Sequence, residues 1–160
     1  MEKLDYRWVS WVAVAISILV IVFAPKRVPG HENFFILSFT SSFAFMFDLV
    51  VGNILDLYDY GTHRVEVLDL AQISIVNPAI GILLLNYWPE RKGWWRVIGY
   101  LMLVVALLLC FELLWLKLDL MRYKGWSLLK SAISYPFLLT TLRIAQLTYR
   151  HMVRTASAAK

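Results

Sequence analysis

Three ionisable residues, Asp48, Glu112 and Arg143, stand inside long apolar runs of this 160-residue chain. An ionised side chain near a bilayer centre costs at least ~2.5–3.5 kcal/mol, so such residues face a protein interior or a wet cavity and mark ion pathways, proton relays or polar sites. Two readings are open. Asp48 and Arg143 neutralise each other and fix helix register, or the charged residues line a proton or ion relay or a polar substrate site.

A second group, Asp56, Asp59, His63 and Glu66, crowds one connector. Carboxylate and imidazole ligands so close could hold a divalent cation. The spacing matches no metal-site pattern, and a solvated acidic loop explains it equally well, so neither a metal nor another cofactor is expected. The chain contains no serine-nucleophile motif, metal-binding helix motif, phosphate loop or paired-cysteine redox motif, and a non-enzymatic role is expected. Its single cysteine, Cys110, cannot form an intrachain disulfide and reads as a small buried or lipid-facing residue.

The elements that must position these residues follow from composition. Hydrophobic residues make up 60% of the chain and charged residues 17%, against ~45–50% and ~25% in soluble domains. A spanning helix needs ~20 mostly apolar residues. Five segments qualify: Trp8–Ala24, Phe34–Leu55, Leu70–Trp88, Trp95–Leu116 and Leu128–Leu147. The runs Ile16–Phe23 and Leu101–Leu109 are continuous rather than alternating, which excludes the period-2 pattern of a membrane barrel. The expected fold is all-α, a single polytopic membrane domain over residues 1–160 built as a bundle of about five transmembrane helices. All seven tryptophans, Trp8, Trp11, Trp88, Trp94, Trp95, Trp115 and Trp126, fall at or near segment ends, where their rings suit the headgroup layer. Lys3, Arg7 and Val22-Phe23-Ala24 resemble parts of a signal peptide. The apolar run exceeds the usual ~7–15 residues and Pro25 follows it, so an uncleaved first span is expected.

Local signals set the ends. Asn33 is a candidate cap of the second helix, Asp69 with Gln72 has capping-box spacing for the third, and Ser127 can cap the fifth. Gly61 can close the second helix after an extra turn, and Pro89 ends the third. Pro78 offers no N–H to the carbonyl of Ser74, nor Pro136 to that of Ala132, so a kink is expected at each.

Depth along the spans sorts the charges. Asp48 lies ~6 Å, Glu112 ~10 Å and Arg143 ~8 Å past the middle of its own span. The second and fourth helices run parallel and the fifth opposite, so Asp48 and Glu112 share a leaflet and Arg143 lies in the other. Side chains lean toward their helix N-terminus, here toward the midplane. Asp48 with Arg143 is therefore the expected pair. Glu112 is left protonated, or served by Lys117 or a polar neighbour.

Positive charge does not orient the protein. Lys26, Arg27, Arg91, Lys92, Arg96, Arg150, Arg154 and Lys160 fall on one side. Lys3, Arg7, Arg64, Lys117, Arg122, Lys124 and Lys130 fall on the other. Placing the acidic Asp56–Asp69 connector outside gives N-out, C-in in a cell membrane. The basic stretch Lys117–Lys130 is then expected along the interface as an amphipathic piece. Arg143, Arg150 and Arg154 recur at i, i+7 and i+11 on one helical face. Arg150, Arg154 and Trp126 are expected to meet lipid headgroups. The basic residues rim a membrane protein, which argues against nucleic acid. The expected partners are the bilayer and another membrane protein or a second copy.

Asn77-Pro78, the turn Tyr87-Trp88-Pro89-Glu90-Arg91-Lys92, Phe111-Glu112 and Tyr123-Lys124-Gly125-Trp126 before a last helix stand in an order that carries a likeness. Over its C-terminal half the chain resembles an uncharacterised family of small multi-pass membrane proteins of spore-forming Firmicute bacteria. The resemblance implies no activity and directs attention to Glu112 and Trp126. Taken together, the residues predict an accessory or structural membrane protein. The alternative is a small transporter or ion or proton pathway using Asp48, Glu112 and Arg143. Five short helices enclose little volume, so that alternative implies a dimer.

Overall fold

Continuous apolar runs leave the backbone to satisfy itself, which a helix does within one segment. The computed structural model describes residues 6–24, 27–60, 67–90 and 93–158, and it is helical almost throughout. The helices are α1 (Arg7–Phe23), α2 (Gly30–Ile54), α3 (Val67–Asn86), α4 (Trp94–Lys117) and α5 (Leu128–Ala158). Three of them, α2, α3 and α4, are long and apolar enough to cross a membrane. The apolar α1 has 17 residues, and the 31-residue α5 is more polar. Helix α4 leaves Met102, Leu103, Leu107 and Phe111 more than half exposed, an arrangement suited to lipid and not to water.

The core is one apolar layer shared by α2, α3, α4 and α5. Ile36, Ile82, Leu84, Leu85, Val105, Leu139 and Leu142 meet there, all buried. Close approach of α2 and α3 depends on Gly81. A Cβ on it would stand 2.7 Å from Thr40 Oγ1 and 3.2 Å from Leu142 Cδ2. Gly81→Val is therefore expected to destabilise by ~1–3 kcal/mol, the range for overpacking, read as a lower Tm in detergent. An unchanged Tm would mean that the two helices part freely.

The all-α expectation misses one feature. The connectors after α2 and α4 pair as an antiparallel ribbon, β1 (Tyr58–Tyr60) with β2 (Met121–Tyr123). Tyr58 stands opposite Tyr123 and Tyr60 opposite Met121. The Leu57 carbonyl accepts from the backbone N–H groups of Lys124, Gly125 and Trp126 at 2.9 Å each. Lys124 bridges to Asp56 and Asp59, and Arg122 pairs with Asp119. The stretch Lys117–Lys130 is thus folded back on the acidic connector by the ribbon and by the Lys124 pairs with Asp56 and Asp59.

Two caps differ from expectation. Helix α2 begins at Gly30, and the Asn33 backbone N–H already bonds to the Pro29 carbonyl. The Asn33 side chain is therefore free to serve α3. Helix α3 begins at Val67, which puts Asp69 inside the first turn, where an acid suits the helix dipole. Ser127 caps α5 as expected, its Oγ accepting from the Lys130 N–H at 3.3 Å. Gly61 lies outside the described residues, and α2 ends at Ile54.

Helices α2 and α3 each contain a π-helical turn, Leu49–Ile54 and Gln72–Val76. The second runs directly into Pro78. The Ser74 carbonyl, which Pro78 cannot serve, accepts instead from Ser41 Oγ of α2 at 3.4 Å. Helix α5 continues through Pro136 without a break.

Candidate functional site

One face of α5 carries Ser131, Tyr135, Leu139, Leu142 and Gln146. Four of these, all but Tyr135, are buried. The apolar middle of this face packs in the core, and its two ends reach two separate polar networks.

The first network surrounds Glu112. Its Oε1 accepts from Tyr123 Oη at 2.6 Å and from Ser131 Oγ at 2.5 Å, and its Oε2 from Tyr135 Oη at 2.9 Å. Trp126 Nε1 donates to Ser131 Oγ at 2.7 Å and so holds that hydroxyl. Asp48 stands in the same region, at the junction of the α-helical and π-helical parts of α2. Its Oδ1 accepts from Tyr58 Oη at 2.7 Å.

Asp48 and Glu112 line one cavity of about 200 Å³. Its walls come from α2, α3, α4, α5 and the ribbon. Among the described lining residues there are two carboxylates and no lysine, arginine or histidine. All the donors named above are neutral. Tyr58, Tyr60 and Tyr123 keep their protons: burial first, then the neighbouring acidic groups, push each phenol well above its usual range. The Tyr58 and Tyr123 hydroxyls act as hydrogen-bond donors, and none of the three brings positive charge.

The second network closes the opposite end. Glu32, 2% exposed, accepts on Oε1 from Gln146 Nε2 and from Arg150 Nε, the latter at 2.7 Å. Glu90 Oε1 accepts from Arg150 and, at 3.2 Å, from Arg143. Arg143 also donates to Gln146 Oε1 at 2.5 Å and lies 5.0 Å over the Trp88 ring. Arg150 and then Arg143 hold the Glu90 carboxyl below its ordinary range. Beside this network, Asn86 donates to Asn33 Oδ1 at 2.8 Å and accepts from the backbone of Arg27 and Val28, tying α3 to the start of α2.

Several expectations are corrected by these contacts. Asp48 and Arg143 are not partners. A tyrosine hydroxyl serves Asp48, and Arg143 is held by Glu90 and Gln146 at the far end of α5. Of the alternatives for Glu112, it is the polar neighbour that the contacts show, as three hydroxyls. Arg150, expected at the headgroups, is held by Glu32 and Glu90. Trp126 turns inward onto Ser131, and Trp88 and Trp115 are likewise half-buried, whereas Trp8, Trp11, Trp94 and Trp95 are exposed. Arg154 remains exposed beside the groove that Trp88, Arg150 and His151 line.

Of the candidate metal ligands, Asp56 and Asp59 pair with Lys124. His63 and Glu66 lie outside the described residues. Among the described residues no three His, Cys, Asp or Glu side chains could hold a metal ion. The described lining of the cavity comes from several helices and the ribbon of one chain.

Sequence reasoning missed Tyr58, Tyr123, Ser131 and Tyr135 as partners of the acids, and Glu32, Glu90 and Gln146 as partners of the arginines. One signal was available. Gln146 lies between Arg143 and Arg150 at i+3 and i−4, on the face already marked by arginines.

No family model, characterised protein or solved structure matches this chain.

Proposed function

We propose that the chain is a five-span bacterial membrane protein whose Asp48–Glu112 cavity binds a cation or proton, as a small transporter or ion pathway would. The observation that carries this reading is the lining of the cavity. Two carboxylates share it, hydroxyl groups satisfy them, and no cationic side chain among the described residues neutralises them. Removing a carboxylate from water without a partner charge is expensive, and a fold that keeps two invites a positive occupant. The apolar core between the two networks separates the cavity from the far end.

The acidic connector is placed outside, N-out and C-in. The main objection, the basic Lys117–Lys130 stretch on that side, is weakened by its ion pairs with Asp56, Asp59 and Asp119. The likeness to the multi-pass proteins of spore-formers directs attention to Glu112 and Trp126, and both line the cavity.

Proton flux into liposomes with a pH-sensitive dye inside tests the reading. The reconstituted protein is expected to dissipate an imposed gradient faster than empty liposomes do. Asp48→Asn and Glu112→Gln are each expected to slow it about tenfold or more, the effect of losing ~1.4 kcal/mol at the site. Equal rates for the wild type, both variants and empty liposomes would overturn it and favour the accessory role, in which neutral replacements at these positions are tolerated.

A further inference from the structure

We propose that the occupant of this cavity is a small organic ammonium ion, held by Asp48 and Glu112 on one side and by aromatic rings on the other. The inference rests on the cavity reading and adds the chemical class of the ligand.

Three observations point to it. The first is the ring arrangement. Tyr58 meets Tyr60 at 5.6 Å and Trp126 at 6.0 Å, and Phe47 meets Trp126 at 6.3 Å, with planes crossing at 71–83°. All four residues line the cavity. Rings that cross nearly at right angles offer faces in more than one direction, and aromatic faces attract ammonium groups, quaternary ones above all. The indole of Trp126 already has the Lys130 ammonium 5.9 Å from its centroid.

The second is the state of the carboxylates. A bare calcium or magnesium ion needs six or more oxygen ligands. Both oxygens of Glu112 already accept from hydroxyls, and much of the remaining wall is aromatic or aliphatic. The site offers charge and apolar contact, which an alkylated ammonium uses and a dehydrated metal ion does not. Its volume of about 200 Å³ also exceeds what a single ion fills.

The third is Thr40. The residue lines the cavity, and its Oγ1, buried beside Gly81, has no hydrogen-bond partner among the described residues. An unpaired buried hydroxyl is costly, and a hydroxyl or amide on the ligand would satisfy it.

The test uses the purified full chain in detergent, with choline as the probe. Its neutral carbon isostere dimethylbutanol and sodium chloride at equal ionic strength serve as controls. Choline is expected to raise Tm saturably and to change tryptophan fluorescence, and neither control is. Glu112→Gln and Trp126→Leu are expected to weaken choline binding about tenfold or more. Trp126→Phe, which also loses the indole N–H but keeps a ring, is expected to stay within a few-fold of wild type. Equal binding of choline and its isostere would overturn the proposal, as would equal losses in the Phe and Leu variants. If choline fails to bind while proton flux still depends on Asp48 and Glu112, the ligand class is wrong and the cavity reading stands. If choline binds as expected and no flux is found, the ligand class stands and transport falls.

Discussion

Glu112→Ala is expected to destabilise the protein by about 2–5 kcal/mol. The lower bound comes from three lost hydrogen bonds at ~0.6 kcal/mol each, the average inside membrane proteins. The upper bound allows for the hydroxyls left without an acceptor, at about 1–3 kcal/mol for a buried one. The truncation orphans Tyr123, Ser131 and Tyr135 together, and through Ser131 it also releases Trp126. The effect therefore spreads from α4 into β2, the connector and α5. Glu112→Gln keeps an accepting oxygen and should lose less. Leu107→Ala, on the exposed side of the same helix, should stay within about 0.5 kcal/mol. Unfolding in mixed micelles reads all three. Equal losses for Glu112→Ala and Leu107→Ala would show that the hydroxyl network holds nothing together.

Glu32→Ala is expected to cost about 3–5 kcal/mol, the range for breaking a buried ion pair by removing one partner. Glu32 takes hydrogen bonds from both Gln146 and Arg150, so its loss leaves the Gln146 amide without that acceptor and Arg150 with Glu90 alone. A double-mutant cycle separates this network from the other. Glu32 and Arg150 should couple by about 1 kcal/mol or more, and Asp48 and Arg143 should add within about 0.5 kcal/mol. Strong coupling of the second pair would mean that the two networks communicate through the core.

The contrast between those two cycles shows what a sequence reader can and cannot extract from this chain. Helix positions were legible, because runs such as Leu101–Leu109 leave no choice of secondary structure, and Ser127 marked its helix start correctly. Depth arithmetic rightly grouped Asp48 with Glu112 and apart from Arg143. It failed on pairing because it weighed only charges inside spans. Glu90 lies just beyond α3 and Glu32 in the first turn of α2, yet Arg143 and Arg150 are long enough to reach them. The acids were harder still. Their partners are tyrosines and a serine, which carry no charge to advertise a match. The ribbon has strands of three residues, too short for any alternation to register, and the side chains it places over the cavity came from connectors read as solvent-facing or interfacial.

The π-helical turn Leu49–Ile54 has a further meaning for the chain as a length of rope. An i→i+5 turn holds one residue more than the α-helical turn it replaces, so α2 carries slack immediately after Asp48. Deleting one residue between 49 and 54 would let this stretch close as an ordinary α-helix. The ribbon side of α2 would keep its phase with the bundle. The same deletion between Phe35 and Phe45 has no slack to take up. It would turn every later side chain of α2 by about 100°, swinging Asp48 away from Tyr58 and out of the cavity.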